Sequence, residues 1–321
     1  MVQHLCAEAN QAIALWLQST LFVGRVAELA SLANNRMPMN AFHTFVVTCT
    51  LGLACNANAQ DTNKHTSSFN QQWLRDLVSI EVLDPKGAGQ PIGTGFLVGT
   101  PAGHVGLVTA KHVVFEDEGR GPLLTNLAYR LNNEVGNSTL TSDAHATAFI
   151  GSTWVRSPTQ DVACRLIVWG NAAEFTAIPI GMFLDANLVE AGAPVFLMGF
   201  PLGLRSEKYA LPILRRGIVA RKDTGSIIVD GFVFPGNSGG PVVYEPVIQV
   251  GANLTTTLLQ GSWLVGIVVS EISYIEPAIS PQTKRPRITF ENNTGLCNIL
   301  PSGVILELLK SAEFEKADRK K

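Results

Sequence analysis

The chain has 321 residues, a net charge of −2 and 46% hydrophobic residues, the balance of an ordinary globular protein with enough length for two modest cores. The near-neutral charge gives no basic surface of the kind that holds nucleic acid, so nucleic acid is not an expected partner. Glycine (29) and proline (17) are plentiful, and after residue 75 short apolar runs alternate with turn residues, which favours an all-β fold with two barrels.

The first 59 residues are predicted to be missing from the mature protein. Residues 1–35 hold apolar runs broken by polar residues, whereas a membrane span needs about 20 mostly apolar residues. We interpret this stretch as an upstream extension that does not belong to the native protein. Residues 36–59 contain an apolar core and end on Ala57-Asn58-Ala59, the pattern of a secretory signal peptide cleaved after Ala59.

Export follows from this interpretation. The mature protein is expected to begin at Gln60, to be periplasmic or secreted, and to keep no stable membrane span. A lipoprotein signal at Cys55 is the alternative, but Gly52 stands where such a signal usually has a large aliphatic residue.

Cleavage would leave two cysteines, Cys164 and Cys297. Export would permit a disulfide, but Cys164 belongs to the first half of the chain and Cys297 to the far end of the second. This separation favours two separate buried thiols. Because neither cysteine has the paired spacing of a metal site, no metal or cofactor is predicted.

After a polar, flexible lead-in at residues 60–72, the apolar runs fall into two groups. Residues 73–170 and residues 171–313 are each predicted to form one barrel, the second with a C-terminal helix from Val304 onwards. Residues 314–321 are predicted to be a solvated basic tail, and the segment 245–260 has no assigned role. The predicted strands are Leu77–Leu83, Pro91–Val98, Val105–Val114, Pro194–Phe200, Pro212–Ala220, Ser226–Val233, Gly240–Tyr244 and Trp263–Glu271.

One histidine of the mature chain stands out as a candidate base. His112 follows a strongly apolar run within Val105–Val114, so a strand ending there would present it at the rim of a barrel. His145, with Asp143 close by, is a competing base. No strongly apolar run leads to His145, which favours a polar position on a strand or loop.

Asp161 is the candidate partner of this base. It precedes the apolar run Val162–Val168, so its carboxylate stands at the entrance of a buried strand. A carboxylate in that position is costly without a partner. An imidazole N–H, such as that of His112, is a suitable one.

The stretch Gly236–Pro241 places Ser238 among glycines, which permit a sharp turn and a close approach to a ligand. The N–H groups of Gly236 and Ser238 can converge there on one oxyanion. A serine becomes a nucleophile when a base takes its proton and a third group orients that base. For this motif alone, a glycine-rich β-turn with an incidental serine is the alternative.

Three segments together resemble the trypsin-like serine proteases: Thr109–His112, Asp161–Ala163 and Gly236–Pro241. The order His, Asp, Ser is that of the chymotrypsin fold, whereas other folds with the same triad use other orders. Finer details resemble the bacterial branch that includes the high-temperature-requirement proteases, and the likeness covers roughly residues 75–312. The segments with counterparts in that branch are Gly93–Val98, Met198–Gly203, Leu214–Val219 and Leu264–Val268.

The resemblance implies an all-β fold of two six-stranded antiparallel β-barrels with a short C-terminal helix. It implies a serine endopeptidase that acts on protein or peptide substrates. Ser238 would be the nucleophile, His112 the general base and then acid, and Asp161 the orienting carboxylate. The amides of Gly236 and Ser238 would form the oxyanion hole. High-temperature-requirement proteases carry PDZ modules after the protease domain, and none is expected here.

Specificity is also implied by the resemblance. A pocket for Lys or Arg has an Asp six positions before the nucleophile in this fold, and here position 238 − 6 = 232 is Phe232. The wall of the pocket would be Val269, Ser270 and Glu271, on the strand after the serine. A small or apolar residue before the scissile bond is therefore predicted, with the charge of Glu271 as the reservation.

The residue before the nucleophile predicts how the enzyme is controlled. In trypsin this residue is an aspartate that pairs with a newly cut N-terminal amine, whereas here it is Asn237. A neutral amide does not compensate a buried ammonium. No activation latch of the trypsin type is therefore predicted.

Two other functional classes are alternatives. A catalytically silent trypsin-like binding module would be favoured by the loss of a triad residue, and none is missing. An acyl hydrolase of the α/β-hydrolase type needs parallel strands alternating with helices and the histidine last in the sequence, whereas here the histidine comes first.

Overall fold

The computed structural model describes residues 71–132, 138–142, 153–167, 176–206, 210–244, 248–250, 256–258 and 262–319. The predicted upstream extension, the signal peptide and nearly all of the lead-in lie outside these ranges. The competing pair Asp143 and His145 also lies outside them.

The first half of the fold is one antiparallel sheet of seven strands. Its strands are β1 Leu77–Leu83, β2 Gly89–Gly99, β3 Val105–Thr109, β4 Leu127–Asn132, β5 Ser138–Ser142, β6 Val155–Arg156 and β7 Ala163–Ile167. Their order across the sheet is β5-β4-β1-β2-β3-β7-β6. β3 and β7 are buried along nearly their whole length, as their continuous apolar runs require.

The second half contains a closed antiparallel barrel of six strands in the order β10-β15-β14-β11-β8-β9. A separate two-stranded sheet, β12 with β13, lies in the segment 245–260, to which the sequence assigned no role. The bounds are β8 Pro194–Gly199, β9 Ile213–Asp223, β10 Ser226–Asp230, β11 Pro241–Tyr244, β12 Ile248–Val250, β13 Thr256–Leu258, β14 Trp263–Ile279 and β15 Pro286–Pro301. The all-β prediction is confirmed, with a two-residue strand, β6, as the seventh member of the first sheet.

In the described ranges, helical turns are few and short. The α-helical segments are α1 Lys111–Val114, an irregular turn at Glu116–Gly119, α2 Ser302–Leu309 and α3 Ala312–Asp318, and the 3₁₀ turns are Gln71–Leu74, Ile180–Met182, Ala186–Leu188 and Pro201–Gly203. The C-terminal helix is therefore present as two helices. They are separated where the Ser311 hydroxyl caps α3 by accepting the N–H of Phe314 at 3.4 Å.

The predicted solvated tail from residue 314 is corrected by α3. Phe314 is fully buried in the core. Asp318 is buried as well and accepts hydrogen bonds from Thr100 Oγ1 at 2.7 Å and from the Ala102 N–H at 3.1 Å, and it pairs with His104 Nδ1 at 2.9 Å. These contacts fix α3 against the turn between β2 and β3.

One hydrophobic cluster joins the two halves of the fold. Buried side chains of the first sheet, of the second barrel and of α2 pack together in it, among them Phe96, Cys164, Met198, Ile267 and Ile305. Each sheet also has a cluster of its own. Apolar side chains from both halves therefore fill much of the seam between them.

The two predicted thiols are confirmed as free and buried. Burial raises the pKa of Cys297 to about 12 and raises that of Cys164 as well. In the described part of the chain, no helix is long and apolar enough to cross a membrane. Within the same ranges, no group of three His, Cys, Asp or Glu side chains is placed to hold a metal ion.

Candidate active site

His112 lies in α1, the single turn that follows β3. The predicted strand Val105–Val114 ends early, at Thr109, and is corrected here. Val113 and Val114 are buried in the core of the first sheet through this helical turn rather than through a strand. The turn is anchored in this way, and the His112 side chain remains 30% exposed.

Asp161 binds His112 through both of its oxygens. His112 Nδ1 lies 2.6 Å from Oδ2, and the His112 backbone N–H donates to Oδ1 at 3.0 Å. An ionised carboxylate can only accept, so Nδ1 carries the hydrogen that faces Asp161. The ring is thereby held in the tautomer whose Nε2 is free to accept a proton.

The position of Asp161 follows from strand pairing. It stands two residues before the start of β7, and the pair Thr109–Ala163 brings the end of β3 next to the start of β7. Partial burial alone would raise the pKa of Asp161. The hydrogen bonds and charge of His112, with a contribution from Lys111, outweigh burial and hold the pKa of this carboxyl below its usual value. The pair is therefore set up as a carboxylate facing an imidazole N–H.

Ser238 stands in a tight turn between β10 and β11. Gly236 and Gly239 have φ values of 100° and 83°, a region that glycine adopts without strain. Asn237 closes the turn: its N–H donates to the carbonyl of Phe234 at 2.9 Å, and its Oδ1 accepts the Phe234 N–H at 3.0 Å. The Asn237 amide side chain therefore has a structural role in shaping this turn, the nucleophile turn at residues 234–240.

The turn of Ser238 lies against the segment that leads to His112. A Cβ at Gly239 would be 2.0 Å from the Thr94 carbonyl oxygen and 2.2 Å from Thr109 Oγ1, so only glycine permits this approach. The Thr94 N–H also donates to the Ser238 carbonyl at 2.9 Å. Among the described residues, no hydrogen bond joins Ser238 Oγ to His112; such bonds are often long before substrate binds.

The N–H groups of Gly236 and Ser238 donate no hydrogen bond within the described part of the chain. The direction of each N–H is fixed by a hydrogen bond to the carbonyl group of the same peptide. The carbonyl before Gly236 accepts the Leu202 N–H at 2.7 Å, and the carbonyl before Ser238 accepts the Gly240 N–H at 2.9 Å. In a planar trans peptide the N–H points away from the carbonyl. Two preoriented donors are thus left open, as an oxyanion hole requires.

Thr94 supports this arrangement and was missed by sequence reasoning. It is fully buried on β2. Its Oγ1 donates to the Gly236 carbonyl at 2.6 Å and accepts the Phe200 N–H at 3.0 Å. One hydroxyl therefore joins the first sheet to both loops of the second. The segment Gly93–Val98 carried a family resemblance, but no residue in it had a predicted role.

The loop Phe200–Gly203 is the second support that sequence reasoning did not assign. A Cβ at Gly236 would lie 2.3 Å from the Phe200 carbonyl oxygen, so the two loops are in backbone contact. Leu202, which donates to the carbonyl before Gly236, has a φ of 55° that is uncommon for a non-glycine residue. The resemblance of Met198–Gly203 identified this loop, while its contact with the nucleophile turn is visible only in the fold.

The predicted substrate wall lies along β14. Val269 packs against the hydrophobic cluster that joins the two halves and against the separate cluster of the first sheet. Ser270 is exposed, and its Oγ accepts a hydrogen bond from Asn298 Nδ2 at 3.0 Å. Phe232 is 51% exposed and stacks on Phe234 with ring centroids 6.4 Å apart. Phe232 therefore places an apolar ring at the sequence position, six before Ser238, where the resemblance expects the carboxylate of a basic-residue pocket.

Glu271, the remaining residue of the predicted wall, is engaged by neighbours. Its Oε2 accepts from Asn293 Nδ2 at 2.8 Å, and its Oε1 accepts from Ser273 Oγ at 3.4 Å. Asn293 Nδ2 also donates to the Val233 carbonyl at 2.6 Å. Glu271 is thus linked through Asn293 to the segment that carries Phe232.

Residues 93–245 match the family model of the trypsin-like peptidase domain. These residues make up slightly less than half of the chain, and over them the chain is similar to a trypsin-like peptidase domain. The matched segment contains His112, Asp161 and Ser238. The matched segment therefore includes each residue that is predicted for the triad.

Among solved structures, the chain is similar to the HtrA-type protease AlgW in a structure with a tripeptide, at 16% identity and a TM-score of 0.42, covering 75% of this chain and 62% of that one. A structure of HBP matches at 10% identity and a TM-score of 0.46, covering 76% and 93%. Human heparin binding protein matches at 11% identity and a TM-score of 0.45, covering 74% and 91%. No curated protein matches the chain.

Proposed function

We propose that this protein is a serine endopeptidase that hydrolyses peptide bonds through an acyl-enzyme intermediate. The observation that carries the proposal is the combination of two features at the seam between the sheets. His112 is held by Asp161 in the tautomer that accepts a proton, and the amides of Gly236 and Ser238 are open donors beside the serine.

The chemistry follows from these groups. Ser238 Oγ attacks the scissile carbonyl carbon while His112 Nε2 takes its proton, and the amides of Gly236 and Ser238 bind the resulting oxyanion. Collapse of the tetrahedral intermediate breaks the C–N bond, and the imidazolium returns the proton to the leaving amine. Water then attacks the acyl-enzyme by the same route. Asp161 stabilises the imidazolium without itself taking the proton.

The substrate class is protein or peptide. The wall at Val269–Glu271 belongs to β14, whose pairing with β11 ends at Ile267. An extended peptide can therefore add to this edge by backbone hydrogen bonds. The same proposal includes export to a periplasm or to the exterior, which rests on residues 36–59.

A fluorophosphonate probe tests the reactive serine directly. The processed protein should take the probe at Ser238, Ser238→Ala should not, and His112→Ala should lose most of the labelling, since triad members act as a unit. Ser226→Ala is the matched control, because Ser226 lies at the start of β10, and it should label like the wild type. A protein that neither takes the probe nor cleaves unfolded casein would support the silent binding module instead.

A further inference from the structure

The hairpin arm, defined as Ser273–Ile279 of β14 with Pro286–Asn293 of β15, extends beyond the barrel. Its strands pair with each other over this length. β14 pairs with β11 only as far as Ile267, and β15 pairs with β10 only over Leu296–Ile299. In the part of the chain that the structure describes, both edges of the arm are therefore open.

The arm exposes apolar side chains on an otherwise uncovered ribbon. Five large ones, each between 53% and 60% exposed, are Tyr274, Ile275, Ile279, Ile288 and Phe290. An isolated two-stranded ribbon is marginally stable in water, and an exposed apolar edge strand is a template for pairing with another chain. The arm therefore has the physical character of an interface.

The order of residues on β15 indicates which partner fits its open edge. The five residues Arg287-Ile288-Thr289-Phe290-Glu291 are self-complementary about Thr289. In an antiparallel pair of two such strands with Thr289 opposite Thr289, Arg287 stands opposite Glu291 of the other copy. Ile288 stands opposite Phe290 of the other copy on the other face. Opposite charges and aromatic with β-branched residues are both stabilising cross-strand pairs.

We propose that two copies of this protein associate through the open edge of β15, antiparallel, with the two-fold axis at Thr289. Because a two-fold axis repeats every contact, the interface holds two Arg287–Glu291 pairs and two Ile288–Phe290 pairs. The paired ribbons form a four-stranded sheet, which removes the open β15 edge of each copy. The proposal does not depend on catalytic activity.

The backbone supports this choice of edge. Pro277 is paired with Thr289 within the arm. Proline has no N–H and is accepted in a strand where its nitrogen faces an open edge. In an antiparallel ladder, the two residues of a non-hydrogen-bonded pair direct their backbone N–H and C=O groups away from each other. We therefore expect the N–H and C=O of Thr289 to face the open edge, ready to pair with the second copy.

The other edge of the arm lacks these features. Along Ser273–Ile279 of β14 the single charged residue is Glu276, and the segment contains no Lys or Arg. A two-fold pairing of this edge would therefore offer no opposite-charge pair. Pro277 would also leave its ladder short of one donor. Charge complementarity thus favours the β15 edge.

Charge reversal tests the proposed register. Sedimentation of the processed protein should show a concentration-dependent dimer. Arg287→Glu alone and Glu291→Arg alone should each weaken dimerisation by tenfold or more, because like charges then stand opposite each other twice. An equimolar mixture of the two variants should dimerise again, since every pair in the heterodimer joins opposite charges. Lys284→Glu, in the turn of the arm and outside the paired segment, is the control and should leave the dimer unchanged.

A cysteine at the axis tests the same register covalently and traps a weak dimer. Residues opposite each other in an antiparallel pair have Cα atoms about 4.5–5.5 Å apart, within the range that a disulfide bridges. Thr289→Cys should therefore form a disulfide-linked dimer under mild oxidation. The wild type and Ile275→Cys should not, because Cys164 and Cys297 are buried and Ile275 is on the other strand.

Three outcomes would overturn the proposal. The first is a monomer at every concentration with no crosslink from Thr289→Cys. The second is a dimer that is indifferent to both charge reversals, which would place the interface elsewhere. The third is crosslinking through Ile275→Cys alone, which would assign the interface to the β14 edge. None of these readouts uses peptidase activity, so failure here is distinguishable from failure of the proposed function.

Discussion

Thr94 Oγ1 donates a 2.6 Å hydrogen bond to the carbonyl of Gly236 and thereby joins β2 of the first sheet to the nucleophile turn of the second. The same oxygen accepts the N–H of Phe200. Removal of this hydroxyl would leave the Gly236 carbonyl and the Phe200 N–H without this partner. Since a buried polar group without a partner is costly, both loops would be affected at once. The relationship makes Thr94 a positioning residue for the site.

Thr94→Val is expected to lower kcat by up to roughly 10²-fold, since small displacements of reacting groups have effects of this size. KM should change much less. The free energy of unfolding should fall by roughly 1–3 kcal/mol for each polar group left unpaired. Thr94→Ser keeps the hydroxyl and should restore most of kcat. Equal kcat values for Thr94→Val and the wild type would remove the positioning role.

Local pattern indicated many of the strands and the three candidate triad positions, because continuous apolar runs and glycine-flanked turns are visible in sequence. It was insufficient for the end of β3. Val113 and Val114 are apolar and buried whether they continue a strand or coil into a turn, so the run Val105–Val114 does not reveal that the strand stops at Thr109.

Long-range contacts explain the remaining differences. The support of the Gly236 peptide by Thr94 and Leu202 joins segments more than 30 residues apart, which no local pattern indicates. Pro286–Asn292 was not predicted as strand because its side chains are exposed and it is held by pairing with β14. β14 itself continues to Ile279, eight residues beyond the predicted end at Glu271.

Asp161→Asn is expected to lower kcat on the order of 10⁴-fold, because an amide does not hold His112 in the productive tautomer. Asp223→Asn, an exposed Asp paired with Arg221, is the control and should retain full activity. Single-turnover and steady-state kinetics on a peptide substrate measure both variants. A loss confined to KM would contradict the orienting role.

The lowered pKa of Asp161 also predicts the pH range in which its pairing with His112 stops stabilising the fold. For a carboxyl whose pKa is depressed by folding, the stabilisation is present above the ordinary value of 3.8 and is lost as the pH falls through the lower folded value. Acid unfolding of the wild type and of Asp161→Asn should therefore differ mainly above that range. Identical acid transitions would show that the pair adds no stability.

Asp76 titrates in the opposite sense. Its carboxyl is buried, which raises its pKa from 3.8 to about 7 although the Thr176 hydroxyl donates to it. A raised carboxyl pKa means that the folded state holds the proton more tightly. This contribution to stability is full below pH 3.8 and is lost as the pH rises through about 7, by up to about 4 kcal/mol.

Asp76→Asn should therefore flatten the pH dependence of the melting temperature between pH 3.8 and about 7. Asp84→Asn is the comparison, because Asp84 is half-buried in the β1–β2 turn and its side chain accepts the local N–H groups of Lys86 and Ala88 at 2.8 Å. Asp84→Asn should keep the decline in melting temperature between pH 3.8 and about 7 that is assigned to Asp76. A wild-type melting temperature that rises through this pH window, with no change in Asp76→Asn, would refute the assignment.

Specificity is expected to favour a small or apolar residue before the scissile bond. Phe232 presents an apolar ring at the place of the basic-residue pocket carboxylate, and both oxygens of Glu271 are hydrogen-bonded to Asn293 and Ser273. A peptide-library digest should show this preference. Glu271→Gln should leave the preference unchanged. Dominant cleavage after Lys or Arg that disappears in Glu271→Gln would assign the pocket charge to Glu271 instead.

The last prediction concerns activation. Asn237 is 1% exposed, and its side-chain oxygen accepts the Phe234 N–H at 3.0 Å, so the nucleophile turn is closed by a neutral amide of its own. An incoming ammonium would find no counter-charge there, and a buried unpaired charge costs several kcal/mol. The turn is therefore expected to be formed as soon as the domain folds, independently of the N-terminus.

Proteins that begin at Gln60, at Ser67, or behind an N-terminal tag should accordingly show comparable kcat/KM on one peptide substrate. Asn237→Asp should be less active and less stable in each of them, because it buries a carboxylate in the nucleophile turn without an ammonium to pair with. Activity that appears only after proteolysis creates one specific new terminus, or that Asn237→Asp increases in the form with that terminus, would show that a trypsin-type latch operates after all.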